Sequence, residues 1–224
     1  MKTVVAVYTA MAIGLMNDIK QLVAEEIPDC RLINIADDCL IQDVIKAGGP
    51  TVGVTRRLLS YYHAAEDAGA DVILNTCSSI GEVADIGKKC AKVPLVKIDD
   101  AMALKGVQMG ERVGVIATLP TTLGPTVRLV QRKADEIGKK VVVVEGLAKG
   151  AFEALMSGKA DEHDALILQT AKDIAAQVDV IVLAQGSMAK MQDKLAEATG
   201  KPVLSSPKLG VQEVRDILLK GVAK

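Results

Sequence analysis

The chain has no tryptophan, one phenylalanine and three tyrosines, so aromatics make up only 2% of its 224 residues. Proteins that bind nucleic acids stack bases on aromatic faces and meet phosphates with clustered Lys and Arg. Here 27 basic residues face 28 acidic ones and the formal charge is −1, so no nucleic-acid partner is expected. Long hydrophobic runs are missing too. No stretch reaches the ~18 apolar residues of a membrane helix, and no membrane partner is expected. Cysteine is scarce and scattered: Cys30, Cys39, Cys77 and Cys90 form no CxxC pair, and there are only two histidines. That pattern gives neither a disulfide framework nor a zinc site. Reduced thiols point to a cytoplasmic location. The opening "MKTVVAVYTAMA" has an apolar run and small residues, but a charged region of one lysine makes a poor signal peptide. It reads as an ordinary first strand.

Half of the residues are hydrophobic and a quarter charged, enough to bury a core without staples. Short β-branched runs alternate with amphipathic ones. "TVVAVY" (3–8), "RLINIA" (31–36), "DVILNT" (71–76), "VPLVKID" (93–99), "RVGVIAT" (112–118), "KVVVVEG" (140–146), "DVIVLA" (179–184) and "KPVLSS" (201–206) read as strands. Strands that are apolar throughout and separated by helices imply parallel sheets covered on both faces. The fold class is α/β.

The chain also repeats itself. Val4 in "VVAVYTAM" matches Val113 in "VGVIATLP", and Leu32 in "LINIADD" matches Val141 in "VVVVEGL", both offset by 109. Asp71 in "DVILNTCSS" matches Asp179 in "DVIVLAQGS", and Pro94 matches Pro202, both offset by 108. Ordered matches at a nearly constant offset indicate two similar α/β halves.

In open parallel sheets, ligands sit at the carboxyl ends of the strands, under the N-termini of the following helices. "YTAMA" (8–12), "TCSSIG" (76–81), "ATLPTT" (117–122) and "AQGSMA" (184–189) occupy such ends. Hydroxyls, free amides and helix dipoles together make a cradle for a carboxylate or phosphate. No GxxxxGK[ST] is present, and no GxGxxG opens a helix after a strand, so a small organic acid fits better than a nucleotide. No cofactor or metal is expected. Cys77 stands out in this set, because a thiol at a helix N-terminus is biased toward thiolate, a base or nucleophile. The plain alternative is a small apolar residue in a core, the reading adopted for Cys30, Cys39 and Cys90.

"NTCSSIGEVAD", "GVIATLPTT" and "VIVLAQGSMA" resemble the aspartate/glutamate/hydantoin racemase superfamily, over essentially the whole chain. The resemblance implies two pseudo-symmetric, Rossmann-like α/β domains with the active site in the cleft between them, and a last helix that packs on the first domain. The expected division is 1–98 plus 207–224, and 99–206. It also implies cofactor-independent chemistry by two cysteines, one per domain, on opposite faces of the substrate's α-carbon. Cys77 falls at the first of them, and Ser78 and Ser79 fall where the family places donors for the substrate carboxylate. The offset of 108 carries Cys77 onto Gln185, and an amide cannot accept and return a proton at neutral pH.

Three readings follow. Cys77 is one base of a racemase or isomerase whose other face is served by a different group, Glu82 being near in sequence. Alternatively Cys77 acts alone, as in the superfamily's one-thiol decarboxylases and its cis–trans isomerases. Or the protein binds a small acid without turning it over. A homodimer is what the resemblance implies.

Thr9 and Thr118 match through the offset of 109, each a candidate donor to a substrate carboxylate or a helix cap. Ser187 pairs with Ser79 and is included as an anchor. One of Thr121 and Thr122 is expected to cap a helix. His63 reads as structural or solvated, and His163, among charges at a helix start, as exposed. Arg56 and Arg57 read as a solvated face.

Overall fold

The structure, a computed structural model, describes residues 1–221. It divides into two compact units, Met1–Asp99 joined by the stretch from Pro207 onward, and Asp100–Ser206.

The first unit runs β1 (Thr3–Tyr8), α1 (Ile13–Glu26), β2 (Arg31–Ala36), α2 (Leu40–Ala47), α3 (Val52–Asp67), β3 (Val72–Asn75), α4 (Gly81–Cys90) and β4 (Leu95–Lys97). The second runs α5 (Asp100–Met109), β5 (Arg112–Ala117), α6 (Pro120–Glu136), β6 (Val142–Leu147), α7 (Ala151–Met156), α8 (Ala160–Ala175), β7 (Val180–Leu183), α9 (Gln192–Thr199) and β8 (Val203–Ser205). The chain then returns to the first unit with α10 (Ser206–Lys220). Among the described residues there are two four-stranded sheets, ordered β2-β1-β3-β4 and β6-β5-β7-β8, and every pairing is parallel.

Alternate residues of each strand serve opposite faces. In the first sheet Val5, Val7 and Ile73 pack with Leu40, Val44, Val54, Leu58 and Val83 of the helices on one side. Val4, Ala6, Tyr8, Val72 and Leu74 pack with Ile19 and Val23 of α1 and with Val211 and Val214 of α10 on the other. α10 comes close at one point: a Cβ on Gly210 would lie 2.6 Å from the Ile98 carbonyl oxygen, so only glycine fits. In α3 the buried residues Val54, Leu58, Tyr62 and Ala65 lie one helical turn apart, and the Thr51 hydroxyl accepts from Val54 N at 3.2 Å to start the helix. The α8 stripe is built alike from His163, Ile167, Ala171 and Ile174.

A matched pair of aspartates ties the strands together at their amino ends. Asp71 accepts from Thr3 N at 2.8 Å, and Asp179 accepts from Arg112 N at 2.9 Å and Glu111 N at 3.0 Å. The repeat therefore has a structural cause at these positions. One strand departs from it. β2 and β6 begin at Arg31 and Val142, two residues beyond the offset of 109, because a run of four valines carries no internal mark of register.

Two helix details differ from the sequence expectations. α6 starts at Pro120, with Leu119 at the cap position, so Thr121 and Thr122 lie inside its first turn rather than capping it. His163 is 1% exposed rather than solvated, because it is the first member of the inward α8 stripe. Its Nδ1 lies 2.7 Å from Asp164 Oδ1. Among the described residues no helix is long and apolar enough to cross a membrane.

Candidate functional site

Cys77 lies two residues beyond β3, with φ −122° and ψ 119°, immediately before a single 3-10 turn (Ser78–Ile80) that leads into α4. An extended residue followed by a tight turn aims the next backbone N–H groups back at its side chain. The groups that favour the charged form of the Cys77 sulfur are accordingly the Thr9 hydroxyl, the backbone and hydroxyl of Ser79, and the backbone of Ile80. Burial pushes this thiol up from its ordinary value, and these donors pull it down without cancelling the burial. The expected thiolate bias is therefore opposed by desolvation, amid donors that would receive a thiolate.

The loop carrying the thiol is pinned from beneath. The Thr76 backbone and hydroxyl donate to the Val7 carbonyl at 3.1 and 2.9 Å. Asn75, fully buried, donates from Nδ2 to the Cys77 carbonyl at 3.0 Å, and its Oδ1 accepts from the Tyr62 hydroxyl at 3.0 Å. Tyr62 is clamped against α4, since a Cβ on Gly87 would lie 2.6 Å from two of its ring carbons. At the end of β1 the Thr9 carbonyl accepts from Ile41 N at 3.0 Å. The adjoining Asp37 is buried and accepts from Tyr61, Arg57 and the Cys39 backbone. Burial works against the charge on Asp37, yet those donors hold its carboxyl below the usual value. Arg57 also reaches Asp43 at 2.8 Å, so it braces the loop beside Thr9 rather than lying idle in solvent.

Lys97, at the end of β4, is 2% exposed, with its ammonium 3.0 Å from Asp85 Oδ1 on α4. A buried lysine needs such a partner. Sequence reasoning passed over Lys97, Asn75 and Tyr62. For Lys97 and Asn75 the available signal was polarity at the ends of otherwise apolar strands, and for Tyr62 its place in the α3 stripe.

In the second unit Gln185 stands two residues beyond β7, with φ −127° and ψ 133°, before the 3-10 segment Gly186–Met191. Its backbone position is that of Cys77. Its amide is folded onto Thr118: Oε1 accepts from Thr118 N at 2.7 Å, and Nε2 donates to Thr118 Oγ1 at 2.8 Å. The pair clasps the ends of β5 and β7 together. Neither Thr9 nor Thr118 caps a helix, since the cap positions of α1 and α6 are Ala12 and Leu119.

Thus Cys77, Thr9 and Ser79 are brought together in the first unit, with Ser78 buried beside them, and Thr118 and Gln185 in the second. Ser187 and Glu82 are exposed. Among the described residues, one set of possible metal ligands gathers within 4.8 Å, Asp37, Asp38 and Cys39. Asp37 is already committed to Arg57 and Tyr61, which disfavours a cation there.

The chain matches the family model described as Asp/Glu/Hydantoin racemase over residues 13–214. Comparison with curated protein sequences gives no match. Among solved structures, a glutamate racemase from Francisella tularensis in complex with D-glutamate is similar with a TM-score of 0.74 and 15% identity, covering 100% of this chain and 84% of that one. An aspartate racemase from Picrophilus torridus gives 0.70 and 14%, over 94% and 91%. An allantoin racemase from Klebsiella pneumoniae gives 0.69 and 15%, over 100% and 90%. At these identities the likeness carries the fold.

Proposed function

The chain belongs to the Asp/Glu/hydantoin racemase family, and from that premise we propose that it is an isomerase of a small carboxylic acid or amino-acid derivative, with Cys77 as its proton-transfer group. The observation that carries this reading is the donor set around the Cys77 sulfur, made by Thr9, Ser79 and Ile80. A neutral thiol needs no such donors, whereas a thiolate formed during turnover does. Proton transfer then runs as follows. Once its own proton has passed to solvent, the Cys77 thiolate takes the α-proton of the substrate and becomes a neutral thiol, leaving an enediolate on the carboxylate; the donors stabilise the sulfur while it is charged, before it takes that proton and after it gives one back. The Ser78 hydroxyl and N–H supply donors for the substrate carboxylate, beside the Ser79 and Ile80 groups that serve the sulfur. Thr118, Gln185 and Ser187 are assigned to substrate binding, with Gln185 offering an amide hydrogen. The chemistry needs no bound cofactor, because an α-proton flanked by a carboxylate can be moved by side chains alone.

Inversion requires a second acid–base group for the other face of the α-carbon, and the Gln185 amide is not one. That observation favours a second reading, in which Cys77 acts alone. In a decarboxylation the substrate loses carbon dioxide, the electron pair stays as an enediolate, the Cys77 S–H protonates it, and water restores the thiol. In a cis–trans isomerisation the sulfur adds to a double bond and leaves after rotation.

The test is product analysis with single enantiomers of aspartate, glutamate, allantoin and substituted hydantoins, alongside aryl- and alkylmalonates and maleate. Appearance of the opposite enantiomer supports isomerisation at the α-carbon. Carbon dioxide from a malonate, or fumarate from maleate, transfers the protein to the one-thiol reading. Tight binding of an acid with no product in any case overturns both.

A further inference from the structure

We propose that Tyr62 and Asn75 are positioning residues that set the proton affinity of Cys77 through its backbone. The proposal rests on the reading of Cys77 as the reacting thiol and adds residues whose hydrogen bonds reach it through its carbonyl. The Tyr62 hydroxyl donates to Asn75 Oδ1 at 3.0 Å, and Asn75 Nδ2 donates to the Cys77 carbonyl at 3.0 Å. Tyr62 is 2% exposed and Asn75 fully buried, so the chain of donors has no competition from water. Burial raises the Tyr62 phenol, which therefore stays a donor throughout the range in which a thiol titrates.

The consequence follows from covalent geometry. The Cys77 carbonyl belongs to the peptide plane that joins Cys77 to Ser78, and that plane sets the direction of the turn. The turn carries the Ser79 and Ile80 N–H groups that point at the sulfur. Holding the carbonyl down holds those N–H groups up. Without Asn75 the plane is free to rotate, the N–H groups leave the sulfur, and the desolvation of the thiol goes uncorrected. The position equivalent to Asn75 in the second unit is Leu183, also the last residue of its strand, and there the residue two places on is Gln185, an amide with no proton to tune. The device accompanies the thiol.

The test reads Cys77 directly and needs no substrate. Folded protein is alkylated with iodoacetamide between pH 7 and 11, the rate at Cys77 is followed by peptide mass spectrometry, and Cys39 and Cys90, both exposed, serve as internal references. Asn75→Leu, of similar volume, is expected to shift the Cys77 profile upward and slow its alkylation at pH 8 by about threefold, as loss of donors to a thiolate requires. Tyr62→Phe is expected to shift it in the same direction by less, and serves alone if Asn75→Leu fails to fold. Val54→Ala trims the same helix and core without touching the chain of donors, and is expected to lower the melting temperature with the Cys77 profile unmoved. Superposable wild-type, Tyr62→Phe and Asn75→Leu profiles would overturn the proposal. A shift equal in Val54→Ala would do so too, since it would mark general loosening. A Cys77 that resists alkylation throughout in the wild type would instead remove the reading of it as the reacting thiol.

Discussion

Gly87→Ala is the sharpest single perturbation of the site's foundation. The new Cβ would fall 2.6 Å from Cδ2 and from Cε2 of Tyr62, and 3.2 Å from Leu95 Cδ1. Ordinary carbon contacts lie at about 3.5–4.0 Å, so the ring must retreat by about 1 Å. It has little room, because it sits within the core of α3, α4 and the first sheet. Overpacking of this kind costs about 1–3 kcal/mol. Retreat of the ring also stretches the 3.0 Å bond to Asn75, and an unpaired buried acceptor adds about 1–3 kcal/mol. Alanine returns about 1 kcal/mol through its helix propensity. The balance is a loss of about 1–5 kcal/mol, read as the midpoint and slope of urea unfolding. Gly14→Ala in α1, where nothing lies within 4 Å of the new Cβ, isolates the propensity term and should be neutral or stabilising by up to ~1 kcal/mol. Equal stability of Gly87→Ala and Gly14→Ala would refute the packing on which the Tyr62 clamp depends.

Other outcomes follow from the same geometry. Thr9→Val removes a hydroxyl donor from the Cys77 sulfur, so alkylation of Cys77 at fixed pH should slow several-fold, with little change in melting temperature. Gln185→Ala leaves the Thr118 N–H without its 2.7 Å partner; thermal unfolding should show a loss of about 1–3 kcal/mol, and none if the amide merely rests on the surface. Asp179 is held down to about 2 by Arg112 and the backbone amides at the start of β5. A carboxyl lowered from its free value of about 4 contributes stability above that value and loses it as pH falls through about 2. The stability difference between wild type and Asp179→Asn should therefore be constant above pH ~4 and shrink toward pH ~2; a difference independent of pH would show that the charge is not what matters.

Much of the fold was legible because it depends on local pattern. Apolar runs between amphipathic ones gave strands and helices, and the Asp71 and Asp179 matches marked positions that hold strand amides. The valine run of β6 was misplaced in register because identical residues offer no mark. His163 looked exposed from its charged neighbours, yet counting back four residues from Ile167 places it on the inner stripe. At the site, Cys77 and its neighbours were visible as small polar residues at a strand end. The upward push of burial on its thiol was not, because desolvation depends on what the remote helices pile around it. The Tyr62–Asn75 link joins residues thirteen apart across packing that no spacing rule encodes. Thr9 was read as a carboxylate donor or a cap, and its hydroxyl bonds the thiol itself.

The proposed chemistry requires the Cys77 sulfur to move the substrate's proton. Proton NMR in D2O tests it most directly, with the amino acids, hydantoins, malonates and maleate offered to wild type and to Cys77→Ala. Deuterium is expected at the carbon next to the carboxylate in a wild-type product, and is expected to disappear in Cys77→Ala while the variant still binds the acid. Deuterium entering at an undiminished rate in Cys77→Ala would contradict it.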